Sequence, residues 1–117
     1  MSERQNLPPT TQACQLLKAM SNERRLIVLC HLLKGEHSVN ELCKLVGLSQ
    51  SALSQHLAKL RRDRVVKTRR AAQTIYYSIA APEVGQIVAT LQDLYAKRDD
   101  NGYAGFIDAP PERASVS

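Results

Sequence analysis

"LSQSALSQHLAKLRRDRVVKTRRAAQTIYY", residues 48–77, changes character twice. Its first part has helix periodicity. Ser49 suits an N-cap, and the helix then runs to about Arg62. At about 100° per residue, Leu53, Leu57 and Leu60 fall on one side and must face a core. Ser51, Gln55, Ala58 and Arg62 fall opposite, with Ser54 and Arg61 on one flank and Lys59 on the other. From Lys59 to Arg70 stand Lys59, Arg61, Arg62, Arg64, Lys67, Arg69 and Arg70 against Asp63 alone, a local excess larger than the whole chain's net charge of +5. The last part, "VVKTRR" and "QTIYYSI" around Arg70-Ala71-Ala72, is β-prone and reads as a hairpin, although no Asn-Gly or similar pair marks its turn.

Upstream, Ser38 and Glu41 fit a capping box, followed by Val39, Leu42, Cys43 and Val46 at helical spacing, with Gly47 as the stop. Two short helices joined by a tight turn containing Gly form the local pattern of a helix-turn-helix. Before them, a helix from about Thr11 carries Ala13, Leu16, Leu17 and Met20 on one face. A second, over 22–34, is capped by Ser21 or Asn22, ended by Gly35, and striped by Leu26, Leu29, Cys30 and Leu33. Ile27, Val28 and Leu32 widen that stripe and make the second helix central and buried. Downstream, Pro82 opens a last helix with Val84, Ile87, Val88, Leu91, Leu94 and Tyr95 in one stripe. The predicted fold is mainly α with a small β-hairpin wing, a winged helix-turn-helix in the order of four helices, two strands and a fifth helix. Residues 1–10 read as a flexible arm and 11–98 as the folded domain. Residues 99–117, rich in turn formers and without period, read as a disordered tail.

The side chains on the outer face of the 49–62 helix match what a DNA major groove offers. Glutamine bonds adenine N6 and N7 together, serine donates or accepts at several base edges, and alanine approaches a thymine methyl. Gln50, Ser51, Ser54 and Gln55 are therefore the expected base contacts. Lys59, Arg61, Arg62, Arg69 and Arg70 are the expected phosphate contacts, and Gln73 and Thr74 support the wing. A basic chain merely kept soluble by charge is the bland alternative. The order and spacing of the features weigh against it. His56 lies toward the buried edge of this helix and reads as a packing residue.

Other classes fit less well. No Ser/His/Asp set, paired carboxylates or Gly-rich loop points to catalysis or nucleotide binding, so no enzyme and no cofactor is expected. The longest apolar run is "LIVLC", far short of a membrane span. Three cysteines, Cys14, Cys30 and Cys43, fit a reducing cytosol better than a disulfide framework.

"LKAMSNERRLIVLCHLL", "SVNELCKLVGLSQSALSQHLAKLRRD" and "VVKTRRAAQTIYYSI" closely resemble the ArsR/SmtB family of winged-helix repressors, over about residues 12–97. The resemblance implies a homodimer joined through the first and last helices, where Leu16, Leu17, Ile87, Leu91, Leu94 and Tyr95 would meet the second copy. It also implies double-stranded DNA as partner, read at an inverted repeat. The family's metal sites are not matched. Cys43 stands alone where one type has Cys-x-Cys, and the last helix has no histidine where another type needs it, so no metal is expected. In one redox-responsive branch, a cysteine of the second helix pairs with one near the end of the last. Cys30 matches the first, but Ala96 stands where the second would fall. Cys30 is then either a small core residue or a single-thiol sensor, alone or with Cys14. Whether an oxidant or small molecule acts on the chain stays open.

Overall fold

Pro9 begins α1 (Pro9–Met20). Its missing N–H is one the first turn would leave unpaired anyway, so the helix starts two residues before the predicted boundary. The computed structural model describes residues 6–95, 106 and 107, together with the backbone of 97–99 and 102–104. The chain divides between Pro82 and Glu83 into two compact units.

In the first unit, α1 is followed by α2 (Glu23–Lys34), β1 (His37–Ser38), α3 (Val39–Val46), α4 (Gln50–Arg62), β2 (Val66–Ala71) and β3 (Thr74–Ile79). The predicted caps appear. Asn22 Oδ1 accepts from the Arg25 N–H at 3.0 Å. Ser38 and Glu41 form the reciprocal capping box of α3. Ser49 Oγ accepts from the Ala52 N–H at 3.2 Å. Gly47 closes α3 in the left-handed region, φ 77°, which a side chain would strain.

Two helix faces differ from expectation. Along α1, Leu16, Ala19 and Met20 are buried while Ala13 and Leu17 stay exposed. In α2 the buried set is Val28, Leu29, Cys30 and Leu32. Leu26 is only half-buried and Leu33 is 39% exposed. The cause is packing on several sides: α2 lies against α1, α3, α4 and β3, which shifts its covered sector away from the simple stripe. Arg25 adds a link that periodicity does not show. Its Nε donates to the Ala19 carbonyl at 2.6 Å and its Nη2 to the Lys18 carbonyl at 3.2 Å. A cation thereby satisfies acceptors at the C-terminal end of α1, where the helix dipole favours positive charge.

Leu53, Leu57 and Leu60 of α4 are each 0% exposed, as the wheel requires. Burying a leucine side chain contributes about 1.5–3 kcal/mol, so these three fix how α4 is turned. The end of α4 is a Schellman motif. The Val65 N–H donates to the Leu60 carbonyl at 2.9 Å and the Arg64 N–H to the Arg61 carbonyl at 3.0 Å. Val65 and Leu60 are both fully buried beside it. Arg64 holds the left-handed position, φ 62°, where glycine is usual.

The sheet has order β1-β3-β2, all antiparallel. The hairpin was expected, but β1 was not, because two residues carry no readable alternation. The hairpin turn is Ala72-Gln73, closed by the Ala71–Thr74 pair, with Ala72 at φ 56°.

The second unit holds α5 (Glu83–Tyr95), whose Val84 and Val88 are buried. It also holds a short hairpin of β4 (Lys97–Asp99) and β5 (Gly102–Ala104). That strand pairing extends into residues 99–117, where the sequence predicts a disordered tail. Residues 1–5 of the predicted arm and residues 108–117 of the tail lie outside the described residues. Among the described residues, no helix is long and apolar enough to cross a membrane.

The local structure of α4 has two consequences for stability. Arg64→Gly removes a side chain from a left-handed backbone at the cost of a freer unfolded chain. It should raise unfolding free energy by about 0.5–1 kcal/mol in denaturant titration. His56 is half-buried, and burial, then the charges of Arg25 and Arg24, hold its pKa below the ordinary 6.5. Above that value neither state is charged at this residue. Below it the unfolded chain takes up a proton that the folded chain resists, so stability falls as pH drops. The acid limb of thermal midpoint against pH should be shallower for His56→Gln than for the wild type.

Candidate nucleic-acid interface

With the three leucines inward, α4 turns Gln50, Ser51, Ser54, Gln55, Ala58, Arg61 and Arg62 to solvent. Ala52 and His56 are half-buried on the flanks. The exposed face is thus short polar and amide side chains at its N-terminal half and guanidinium groups at its C-terminal end.

Two open recesses border this face. One, of about 400 Å³, is lined by Ser54, Ala58, Arg61, Arg62 and Tyr77, so it joins the outer side of α4 to the central strand β3. The other, of about 230 Å³, brings Gln50 together with Gln73 and Thr74 at the hairpin turn, and with Ser38, Val39 and Asn40 at the start of α3. Sequence reasoning gives Tyr77, Asn40 and Val39 no place in the site. Tyr77 alone carries a signal there, as an aromatic in the strand beside the basic run.

The cations are not equivalent. Lys59 Nζ lies 3.1 Å from Asp63 Oδ2, one helical turn on, so its charge is largely offset. Arg69 donates from Nε to both oxygens of Glu36 at 2.9 Å and from Nη2 to Oε1. Its guanidinium also lies 4.7 Å from the centre of the Tyr76 ring. The Arg69 hydrogen bond holds the Glu36 carboxyl below the ordinary carboxylate range, and the carboxylate raises the Arg69 pKa in turn. Arg69, expected at a phosphate, has its charge engaged by Glu36 within the chain. Arg61, Arg62, Arg64, Lys67 and Arg70 form no ion pair among the described residues, and all five are exposed. Gln73 and Thr74 are exposed at the turn.

At the start of α3, the Ser38 backbone N–H, followed by the nearby His37, keeps Glu41 below its ordinary pKa. His37 Nδ1 lies 3.6 Å from Glu41 Oε1. This secures the two residues that link β1 to the first helix of the helix-turn-helix.

The remaining candidates lie elsewhere. Cys14 is exposed, Cys43 half-buried, and Cys30 4% exposed. Among the described residues, no three His, Cys, Asp or Glu side chains are placed to hold a metal ion. Of the residues expected at a second copy, Leu16 is already buried within one chain and Leu17 is 54% exposed. Ile87 and Leu91 are half-buried, whereas Leu94 and Tyr95 are 68% and 76% exposed.

Known proteins share this arrangement. The sequence pattern described as "Bacterial regulatory protein, arsR family" matches residues 22–68. The "Transcriptional activator HlyU" of Vibrio cholerae is 53% identical over 88 residues, 75% of this chain and 82% of that protein. The crystal structure of the transcriptional repressor BigR from Xylella fastidiosa superposes with a TM-score of 0.73 at 33% identity, covering 83% of this chain and 99% of that one. The solution structure of the homodimeric winged helix-turn-helix DNA-binding domain of Mb0332 from Mycobacterium bovis gives a TM-score of 0.67 at 30% identity, over 80% of this chain and 86% of that one. Helix-turn-helix, basic wing and these likenesses agree: the chain belongs to the arsR family of bacterial regulatory proteins, DNA-binding transcriptional regulators with a winged helix-turn-helix.

Proposed function

We propose that this chain acts as a homodimer that reads an inverted-repeat operator with α4 and represses transcription by occupying it. The observation that carries this reading is the outer face of α4. There Gln50, Ser51, Ser54 and Gln55 are exposed while the opposite side is locked by three fully buried leucines. Gln55 and Gln50 have the chemistry to bond adenine, and the serines that of several base edges. Arg61, Arg62 and Arg70 supply phosphate contacts, and Gln73 and Thr74 steady the wing.

Dimerisation is supported by apolar side chains left uncovered in each unit, Leu17 in one and Leu94 and Tyr95 in the other. The homodimeric Mb0332 domain adds to this. Two copies suit two half-sites spaced by about one turn of the duplex or a multiple of it. Repression requires only that the promoter be occupied, and the Xylella relative is described as a repressor. Cys30 is read as core filler. It is buried among the apolar residues of α2, and Ala96 occupies the position of the second thiol in the redox-responsive branch.

Selection of bound fragments from random duplex DNA tests the reading, with a symmetric repeat as the expected product. On that fragment, Gln55→Ala should lose about 1–3 kcal/mol of discrimination against a mutated half-site. Arg62→Ala should weaken all sequences alike and reduce the slope of log affinity against log salt by about 0.9 for each phosphate it ceases to neutralise. Unchanged sequence preference in Gln55→Ala would show that another face does the reading.

A further inference from the structure

We propose that Arg69, Glu36 and Tyr76 form a clasp that positions the wing against the helix-turn-helix, so that Arg69 acts through the protein and not through phosphate. The clasp rests on the DNA-binding reading for its purpose and on the geometry for its existence. Arg69 belongs to β2 and stands directly opposite Tyr76 of β3. Its guanidinium lies over that ring and reaches Glu36, the residue just before β1. One side chain therefore spans all three strands, from one edge across the centre to the other edge.

The far side of the clasp is continuous with the reading apparatus. Glu36 precedes His37 and Ser38, which pair with Tyr77 and Tyr76, and Ser38 is also the N-cap of α3. A hairpin held only by its backbone ladder would pivot at its root. The clasp ties the β2 side of that hairpin to the chain entering α3. An exposed single ion pair contributes little, but a bidentate guanidinium–carboxylate contact with a ring beneath it fixes direction as well as distance. The same contact leaves Arg70, the next residue, exposed to meet phosphate.

The test compares wild type, Glu36→Gln, Arg69→Ala and the double variant on a duplex selected by the wild type, across a salt series. The clasp predicts that both single variants weaken specific binding by a similar factor, about two- to fivefold. The double variant should be no worse than either single variant, because both remove one interaction. The salt slope should stay at the wild-type value throughout. A slope reduced by about 0.9 in Arg69→Ala, together with tighter binding by Glu36→Gln, would show that Arg69 is a phosphate ligand held back by Glu36, and would overturn the clasp. Amide hydrogen exchange on the free protein decides the geometry independently of DNA. Glu36→Gln should speed exchange in β1 and β3 while the amides of α2 keep their protection. Uniform acceleration, or none, would also overturn it. Failure of the wild type to bind any duplex would count against the DNA reading alone and leave the exchange result to judge the clasp.

Discussion

The burial of Leu53, Leu57 and Leu60 is the constraint on which the rest depends. A helix has one rotational setting that hides three such side chains, and every other setting exposes them at about 1.5–3 kcal/mol each. Half a turn of α4 would also press Gln55 and Arg62 into an apolar core without partners, which costs more still. The polar face of α4 is therefore a consequence of packing on the opposite side. The left-handed Gly47, the Ser49 cap and the Schellman close at Arg64 set where the helix begins and ends, and so which residues reach its exposed first turn.

Electrostatics then divides cations that look alike in the sequence. Lys59 is offset by Asp63, Arg69 by Glu36, and Arg25 is engaged by the carbonyls that end α1. Within the basic run from Lys59 to Arg70, what remains exposed and without an ion pair among the described residues is Arg61, Arg62, Arg64, Lys67 and Arg70. These lie at the end of α4 and along the hairpin, and Arg61 and Arg62 line the recess that contains Ser54 and Tyr77. Amide and hydroxyl groups flanked by uncommitted cations suit a polyanion whose base edges are exposed between phosphates.

Much of this is legible because it is local. The capping box at Ser38 and Glu41, the stop at Gly47 and the leucine spacing in α4 each involve residues within a few positions of one another. Their physics is that of a single helix. The features that sequence reasoning misses are those that join distant parts of the chain. Glu36 and Arg69 are 33 residues apart, and no pattern in either segment announces the pair. Arg25 capping the preceding helix depends on how α1 and α2 cross. The strand β1 exists only because β3 runs beside it. The predicted α2 stripe is displaced for a related reason, since a helix enclosed by several neighbours is covered on a sector no wheel reveals. Base-contact roles for Gln50, Ser51, Ser54 and Gln55 rest on chemistry and exposure, both of which a wheel supplies once the core side is known.

The most direct measurement is the side-chain amide spectrum of the glutamines as a selected duplex is added to isotope-labelled protein. If α4 reads base edges, the Gln50 and Gln55 NH₂ signals should move most, with Ser51 and Ser54 backbone signals close behind and the α2 core still. Large shifts confined to other surfaces, with the α4 glutamines unmoved at saturation, would contradict the account.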